Sequence, residues 1–275
     1  MGISTLALIR DTFREAFARK IFWGFFGCST MLILFFVFIM KIDIVEGALA
    51  TISIFGKTGE RKQDVTQLVR QVGGGIAAFL YTAAMFLAVF ASAGLIPTIF
   101  EPGRIELLLS KPVRRYHILL GRYIGNLLVV TLNTVYLVFS VWIIFGIKTG
   151  VWTSSFLYSA AFTVFIFSVL LSVVVLVGVL WESAVVATMV TFALMIVSPF
   201  LAQKSTIERL LSSEWSRNVV RFFYYALPKV FDVGRISREL VLGKPIESWM
   251  PVWSTALFGV VMLSAGLYAF SRRDF

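Results

Sequence analysis

Charge is missing where this chain is most apolar. Six stretches, 21–40, 73–97, 123–147, 149–181, 183–202 and 248–271, contain no Asp, Glu, Lys, Arg or His. Each is long enough to cross a bilayer, since about 20 residues at roughly 1.5 Å per residue traverse a hydrocarbon core of about 30 Å. With 59% hydrophobic and 15% charged residues among 275, the composition excludes an ordinary soluble domain and describes a polytopic membrane protein. Proton-driven pumps and antiporters keep an ionisable group at mid-membrane despite a cost of about 2.5–3.5 kcal/mol or more. None interrupts these stretches, so energy for any work is expected to enter from outside the bilayer.

Cysteine and histidine are equally scarce. Cys28, the only cysteine, lies inside the first apolar stretch, which excludes an intrachain disulfide and a zinc cluster. His117, the only histidine, has no histidine or cysteine near it to share a metal. Nothing in the sequence pairs a nucleophile with a base, so a membrane enzyme finds no support. Gly56-Lys57-Thr58 ends like a phosphate-binding loop, but the first glycine of that motif falls at Thr51, and no strand, loop and helix surround it. ATP binding at this segment is therefore not expected. There is no internal repeat, and the unequal loops argue against the inverted halves of a secondary transporter.

What is present is positive charge, +10 net, spread over several loops rather than along one face. Orientation and lipid headgroups account for it better than nucleic acid does. Lys and Arg are densest beside the spans at 10–20 and 111–122, which places both termini and the loop after span two in the cytoplasm. The amino-terminal apolar run is too long for a cleaved signal peptide and is expected to remain as span one. Leu6, Ile9, Phe13 and Phe17 recur at helical spacing, with Arg14, Glu15 and Arg19 on other faces. Residues 1–20 are thus expected to hold an amphipathic helix at the cytoplasmic interface. On the opposite side lie two long segments, 41–72 and 203–247. Val65, Leu68, Val69 and Val72 form a helical stripe before Gly73, and Ser205 to Glu208 has capping-box spacing. A helix over 207–226 and a second over 230–242 follow, able to dip into the outer leaflet or to lid the bundle. Gly121 and Gly125 offer close helix approach, for a dimer or for packing within the chain. Asn126, Asn133 and Thr134 in span three, with Thr163, Ser168 and Ser172 in span four, either face a pathway or bond between helices. Pro199 is placed to kink span five.

The loop from Phe100 to Arg122 carries the most information. Pro102-Gly103 and Ser110-Lys111-Pro112 bracket a short helix, about 100–111, whose leucines and charges give it two faces. In order it shows Glu101, Gly103, Ile105-Glu106, Leu108-Leu109-Ser110, Pro112-Val113, Arg115 and Leu120-Gly121-Arg122. This resembles the ABC-2 family of ABC exporter permeases, with Arg104 where a threonine is usual. Arg14 to Lys20 looks like that family's elbow helix, Leu227-Pro228 with Phe231-Asp232 like the segment before the last span, and Phe270 to Phe275 like its ending. Within the family it is similar to the branch of nitrous-oxide-reductase maturation and gliding-motility permeases.

The resemblance implies an all-α polytopic membrane protein of the type V exporter kind. Its six spans are expected at about 21–40, 73–97, 123–147, 153–181, 183–202 and 250–271, with a cytoplasmic tail at 272–275. It further implies residence in the cytoplasmic membrane of a bacterium or archaeon. Its partners would be two ATP-binding cassette subunits carrying ATP and Mg, a second copy of itself and membrane lipid, with room for an accessory extracytoplasmic protein. The chain itself would be no enzyme. The coupling helix would contact the ATPase through Glu101, Gly103, Arg104, Glu106, Leu109, Ser110, Arg114 and Arg115, and the elbow helix through Arg14, Glu15 and Arg19. A nucleotide-independent channel or secondary transporter, or a membrane scaffold, are the alternative classes.

Overall fold

The computed structural model describes residues 20–45, 49–54, 57–58, 63–92, 115–211 and 213–272. The elbow segment with Arg14, Glu15 and Arg19, the loop residues Glu101, Gly103, Arg104, Glu106, Leu109, Ser110 and Arg114, and the last three residues lie outside them. In chain order the elements are α1 (Lys20–Ile39), β1 (Met40–Val45), β2 (Leu49–Ile54), β3 (Lys57–Thr58), β4 (Gln63–Asp64), α2 (Val65–Ser92) and α3 (Arg115–Thr149). A 3-10 turn at Ser154–Leu157 then leads into α4 (Tyr158–Trp181), α5 (Ala184–Ala202), α6 (Lys204–Leu210), α7 (Glu214–Ala226), α8 (Val230–Val241) and α9 (Met250–Arg272).

Five of these helices are long and apolar enough to cross a membrane, namely those within α2, α3, α4, α5 and α9, and α1 is a sixth apolar helix of 20 residues. Only a helix satisfies every backbone group within its own segment, which is why charge-free runs of this length fold this way in lipid. The protein is thus helical and polytopic, as its composition requires. Helices occupy the stretches expected to span, and some extend beyond them. α2 begins at Val65, eight residues before the expected start, so the stripe from Val65 to Val72 is the first two turns of span two and not a separate helix. α3 likewise begins at Arg115 and runs 35 residues, about 52 Å at the usual rise, so it projects beyond the hydrocarbon core.

Segment 41–72 departs from the expected all-helical pattern. β1 and β2 pair antiparallel from Met40 opposite Ile54 to Val45 opposite Leu49, and β3 and β4 add to β2. Alternation of polar and β-branched residues in Lys41-Ile42-Asp43-Ile44 and Thr51-Ile52-Ser53-Ile54 suits strands. Lys57 and Thr58 form a strand and Thr51 lies in its neighbour, where a phosphate-binding loop would have Lys57 and Thr58 open a helix.

α4 is the centre of the bundle and packs on α2, α3, α5, α8 and α9. Ile166, Phe167, Leu170 and Leu171 are fully buried on it. Between helices in lipid, close packing supplies the attraction that water-driven burial supplies elsewhere. α9 meets this need with glycine: a Cβ at Gly266 would lie 3.0 Å from Val175 and 3.3 Å from the Leu176 backbone. Gly121 and Gly125 are buried inside the protomer on α3. α4 turns into α5 through Glu182, a non-glycine residue at φ 54°, and Ser183, whose Oγ accepts from Val186 N–H. At the other end Lys148 donates from Nζ to the Phe36 and Val37 carbonyls. It thereby satisfies the open end of α1.

The segment between α5 and α9 is built differently from expectation. One helix over 207–226 is in fact two, α6 and α7, joined by an ion pair from Arg221 to Glu208 at 2.9 Å. Glu208 is spent on that pair and the residue preceding α6 is Gln203 without a side-chain cap, so the capping-box spacing at Ser205 does not form a cap. α7 has no buried residue, and Trp215, Phe222, Phe223 and Tyr225 stand exposed on it.

Candidate functional site

α8 is the unusual element, because it enters the bundle instead of lying over it. Its residues Val230, Val233, Ile236 and Val241 are buried, and it packs on α2, α4 and α5. Val241 and Leu242 meet α2 at Gly73 and Gly74, where a Cβ on Gly74 would fall 2.8 Å from Leu242. Two turns deeper, Tyr81 of α2 donates its hydroxyl to the Val230 carbonyl at 2.7 Å, and a Cβ on Gly234 would sit 2.7 Å from the Tyr81 ring. α8 therefore descends along α2 with its amino terminus at the level of Tyr81. The orphan N–H groups of that terminus must find partners there, since water is excluded. Other spans provide them: Lys229 N–H donates to Thr255 Oγ1 of α9 at 3.0 Å, and Phe231 N–H to Ser198 Oγ of α5 at 2.9 Å.

This descent carries charge into the bundle. Lys229 and Asp232 are each 3% exposed, although both come from a segment whose average composition is that of a polar loop. Lys229 Nζ donates to Ser254 Oγ at 2.9 Å and lies 4.8 Å from the Tyr224 ring centre. Asp232 accepts from the Tyr224 hydroxyl at 3.2 Å and lies 3.6 Å from Arg235. Lys204 covers the Tyr224 ring at 3.9 Å. Burial pulls the Lys229 ammonium below its ordinary pKa, with the Asp232 charge opposing that shift. Tyr224 is pushed up to about 12, first by burial and then by the neighbouring Asp232 carboxylate, which favours the protonated phenol that its hydrogen bond requires. Cation–ring contacts and hydrogen bonds offset part of the cost of holding these charges out of water.

The polar residues expected in span three are all buried, and two of them, Asn126 and Asn133, bond to neighbouring helices. Ser92 Oγ of α2 donates to Asn126 Oδ1 at 3.0 Å, and Asn133 Nδ2 donates to Ser29 Oγ of α1 at 3.0 Å. Asn126 Nδ2, Asn133 Oδ1 and Thr134 Oγ1 have no partner among the described residues. Thr163, Ser168 and Ser172 of α4 bond back to carbonyls of their own helix. Of the expected ATPase contacts, Arg115 is the first residue of α3. The burial of Lys229 and Asp232 was not expected from the sequence; the available signal was Leu227-Pro228 followed by apolar and small residues at Val230, Val233, Gly234, Ser237 and Val241, a helical face suited to packing.

A bundle of long apolar helices with a re-entrant helix belongs to the class of multi-pass membrane proteins. The family model for the ABC-2 family transporter protein matches residues 6–275, nearly the whole chain. The chain belongs to that family, and it is accordingly a transmembrane subunit of an ABC transport system rather than the ATPase. Membership implies association with an ATP-binding subunit. No curated relative matches the chain.

Proposed function

We propose that this protein is the permease of an ATP-driven exporter, working by alternating access as a dimer that carries two separate ATPase subunits. The observation that carries this is the family match over 6–275, which includes the sequence between α2 and α3 where a coupling helix at about 100–111 is expected. In this reading α1 is the sixth span, both termini are cytoplasmic, and the cytoplasmic membrane of a bacterium or archaeon is the host. Glu101, Gly103, Arg104, Glu106, Leu109, Ser110, Arg114 and Arg115 receive the ATPase stroke, with Arg14, Glu15 and Arg19 beside them. ATP and Mg bind the partner. The similarity to maturation and gliding-motility permeases fits a system that serves an extracytoplasmic partner.

Glu106 is the discriminating position. Removing one partner of a desolvated charge pair costs about 2–5 kcal/mol, against about 0–1 for an exposed pair. Glu106→Lys is expected to lose ATPase copurification or ATP-driven transport while inserting normally, whereas Lys57→Glu, on β3, keeps both. The wild-type complex is expected to weigh two permeases plus two ATPases by light scattering. Wild-type copurification and transport in Glu106→Lys, or a single permease per active complex, would refute the reading.

A further inference from the structure

Between α6, α7, α8 and the start of α9 lies a cavity of about 260 Å³, with Lys204, Tyr224, Tyr225, Arg235, Glu239 and Glu247 in its wall. Two of its charges stand apart from ion pairs. Lys204 rests on Tyr224 and Tyr225, at 3.9 and 5.0 Å, and no carboxylate among the described residues comes within ion-pair reach of it. Glu247 is exposed and has no cationic partner among the described residues. Glu239 reaches Arg235 only at 3.8 Å, and Arg235 is shared between Glu239 and Asp232. The cavity thus brings a lysine without a carboxylate partner and a carboxylate without a cationic partner into one lining.

Its position adds the second observation. α7 presents Trp215, Phe222 and Phe223 to the exterior with no buried residue of its own, while Arg217 and Arg221 are turned to Leu211 and Glu208 of the α6 side. A helix with an unpartnered aromatic face and a basic face, set at the ends of spanning helices, lies in the interface of a bilayer. The cavity therefore opens at headgroup level.

We propose that this cavity binds the zwitterionic phosphodiester headgroup of an ethanolamine-type phospholipid, phosphate toward Lys204, primary ammonium toward Glu239 and Glu247. A choline headgroup is disfavoured because the Tyr224 and Tyr225 faces that would hold a quaternary ammonium are occupied by lysine ammonium groups. An anionic glycerol headgroup is disfavoured because it brings nothing to Glu247. The volume suits a headgroup rather than a whole drug-sized ligand. The site depends on the bundle being embedded in a membrane and not on which end faces the cytoplasm or on ATP coupling, so it is tested separately from the transport reading.

The experiment is native mass spectrometry of the purified permease released from nanodiscs holding equal phosphatidylethanolamine, phosphatidylglycerol and phosphatidylcholine. Wild type is expected to retain phosphatidylethanolamine at least about fivefold above the other two. Lys204→Gln should remove that preference, and Glu247→Lys, at an exposed position, should turn it toward phosphatidylglycerol. Wild-type retention in the bulk lipid ratio overturns the proposal, whatever the variants do. So does an ethanolamine preference that Glu247→Lys leaves unchanged.

Discussion

Gly234→Ala sets a local preference against a tertiary contact, and the sign of its effect is fixed by the contact. In a free helix alanine is favoured over glycine by about 1 kcal/mol. At Gly234 the new Cβ would sit 2.7 Å from Tyr81 Cε1, 3.0 Å from Cδ1 and 3.2 Å from Cζ. The ring cannot swing aside cheaply, because its hydroxyl is held on the Val230 carbonyl at 2.7 Å. Overpacking of this kind costs about 1–3 kcal/mol, so α8 must lift from α2 or the ring must abandon its bond. The expected result is a melting temperature lower by about 2–6 °C, at roughly 2 °C per kcal/mol for a chain of this size. Gly75→Ala is the control: nothing lies within 4 Å of a Cβ there, on an exposed face of the same bundle, so it should leave the melting temperature unchanged or raise it. The assay is fluorescence-detected thermal unfolding of the detergent-purified protein, run on Gly234→Ala, Tyr81→Ala and the double variant. Removing the ring removes the clash, so the double variant should be more stable than the sum of the single effects by at least about 0.5 kcal/mol, the limit expected of independent sites. Additive effects, or a Gly234→Ala protein as stable as wild type, would show that α8 is not seated on Tyr81.

Two further predictions use other parts of the molecule. Ser198→Ala leaves the Phe231 N–H at the buried end of α8 without its acceptor and is expected to cost about 0.5–2 kcal/mol, whereas Thr82→Ala, which loses only a bond to its own helix on an exposed face, should cost less in the same melt. For topology, Cys28→Ser gives a cysteine-free background. An impermeant thiol reagent on intact cells should then label a cysteine at Ser205, exposed on α6, and spare one at Ser110; the reverse pattern would invert the orientation.

Spans were legible because lipid imposes one rule over their whole length. Ser183–Ala202 was expected and α5 runs Ala184–Ala202; 250–271 was expected and α9 runs Met250–Arg272. The rule fails at the ends, where a helix continues into water on ordinary propensity, as α2 does from Val65 and α3 from Arg115. It is silent on the sheet, whose strands are defined by partners: Lys41-Ile42-Asp43-Ile44 alternates visibly, but nothing local says that Ile42 pairs with Ile52. α8 is the most instructive case. Its helical period and its breakers at Pro228 and Gly243 are in the sequence, and the helix lies where they place it. Its depth is not, because depth is set by hydroxyls of Ser198 and Thr255 on two distant spans and by the glycine at 234 that admits Tyr81.

That depth bears on the energy source. Charge-free spans do not make a charge-free bundle, since Lys229 and Asp232 are buried at the end where α9 begins. A proton-driven mechanism needs more than buried charge, however; it needs titratable groups in succession across the hydrocarbon. Among the described residues the buried charged side chains are Arg122, near the opposite end on α3, and the Lys229 and Asp232 pair. Between those levels the centre of the bundle is α4, where Ile166, Phe167, Leu170 and Leu171 are fully buried and Thr163 and Ser172 are turned back on their own helix. No carboxylate, histidine or lysine of the described spans bridges that interval. Among the described residues the re-entrant pair has no titratable neighbour in that interval to which it could pass a proton. The apolar interior of α4, rather than the absence of charge in general, therefore supports the proposed drive from an ATP-binding partner over a proton relay through the described spans.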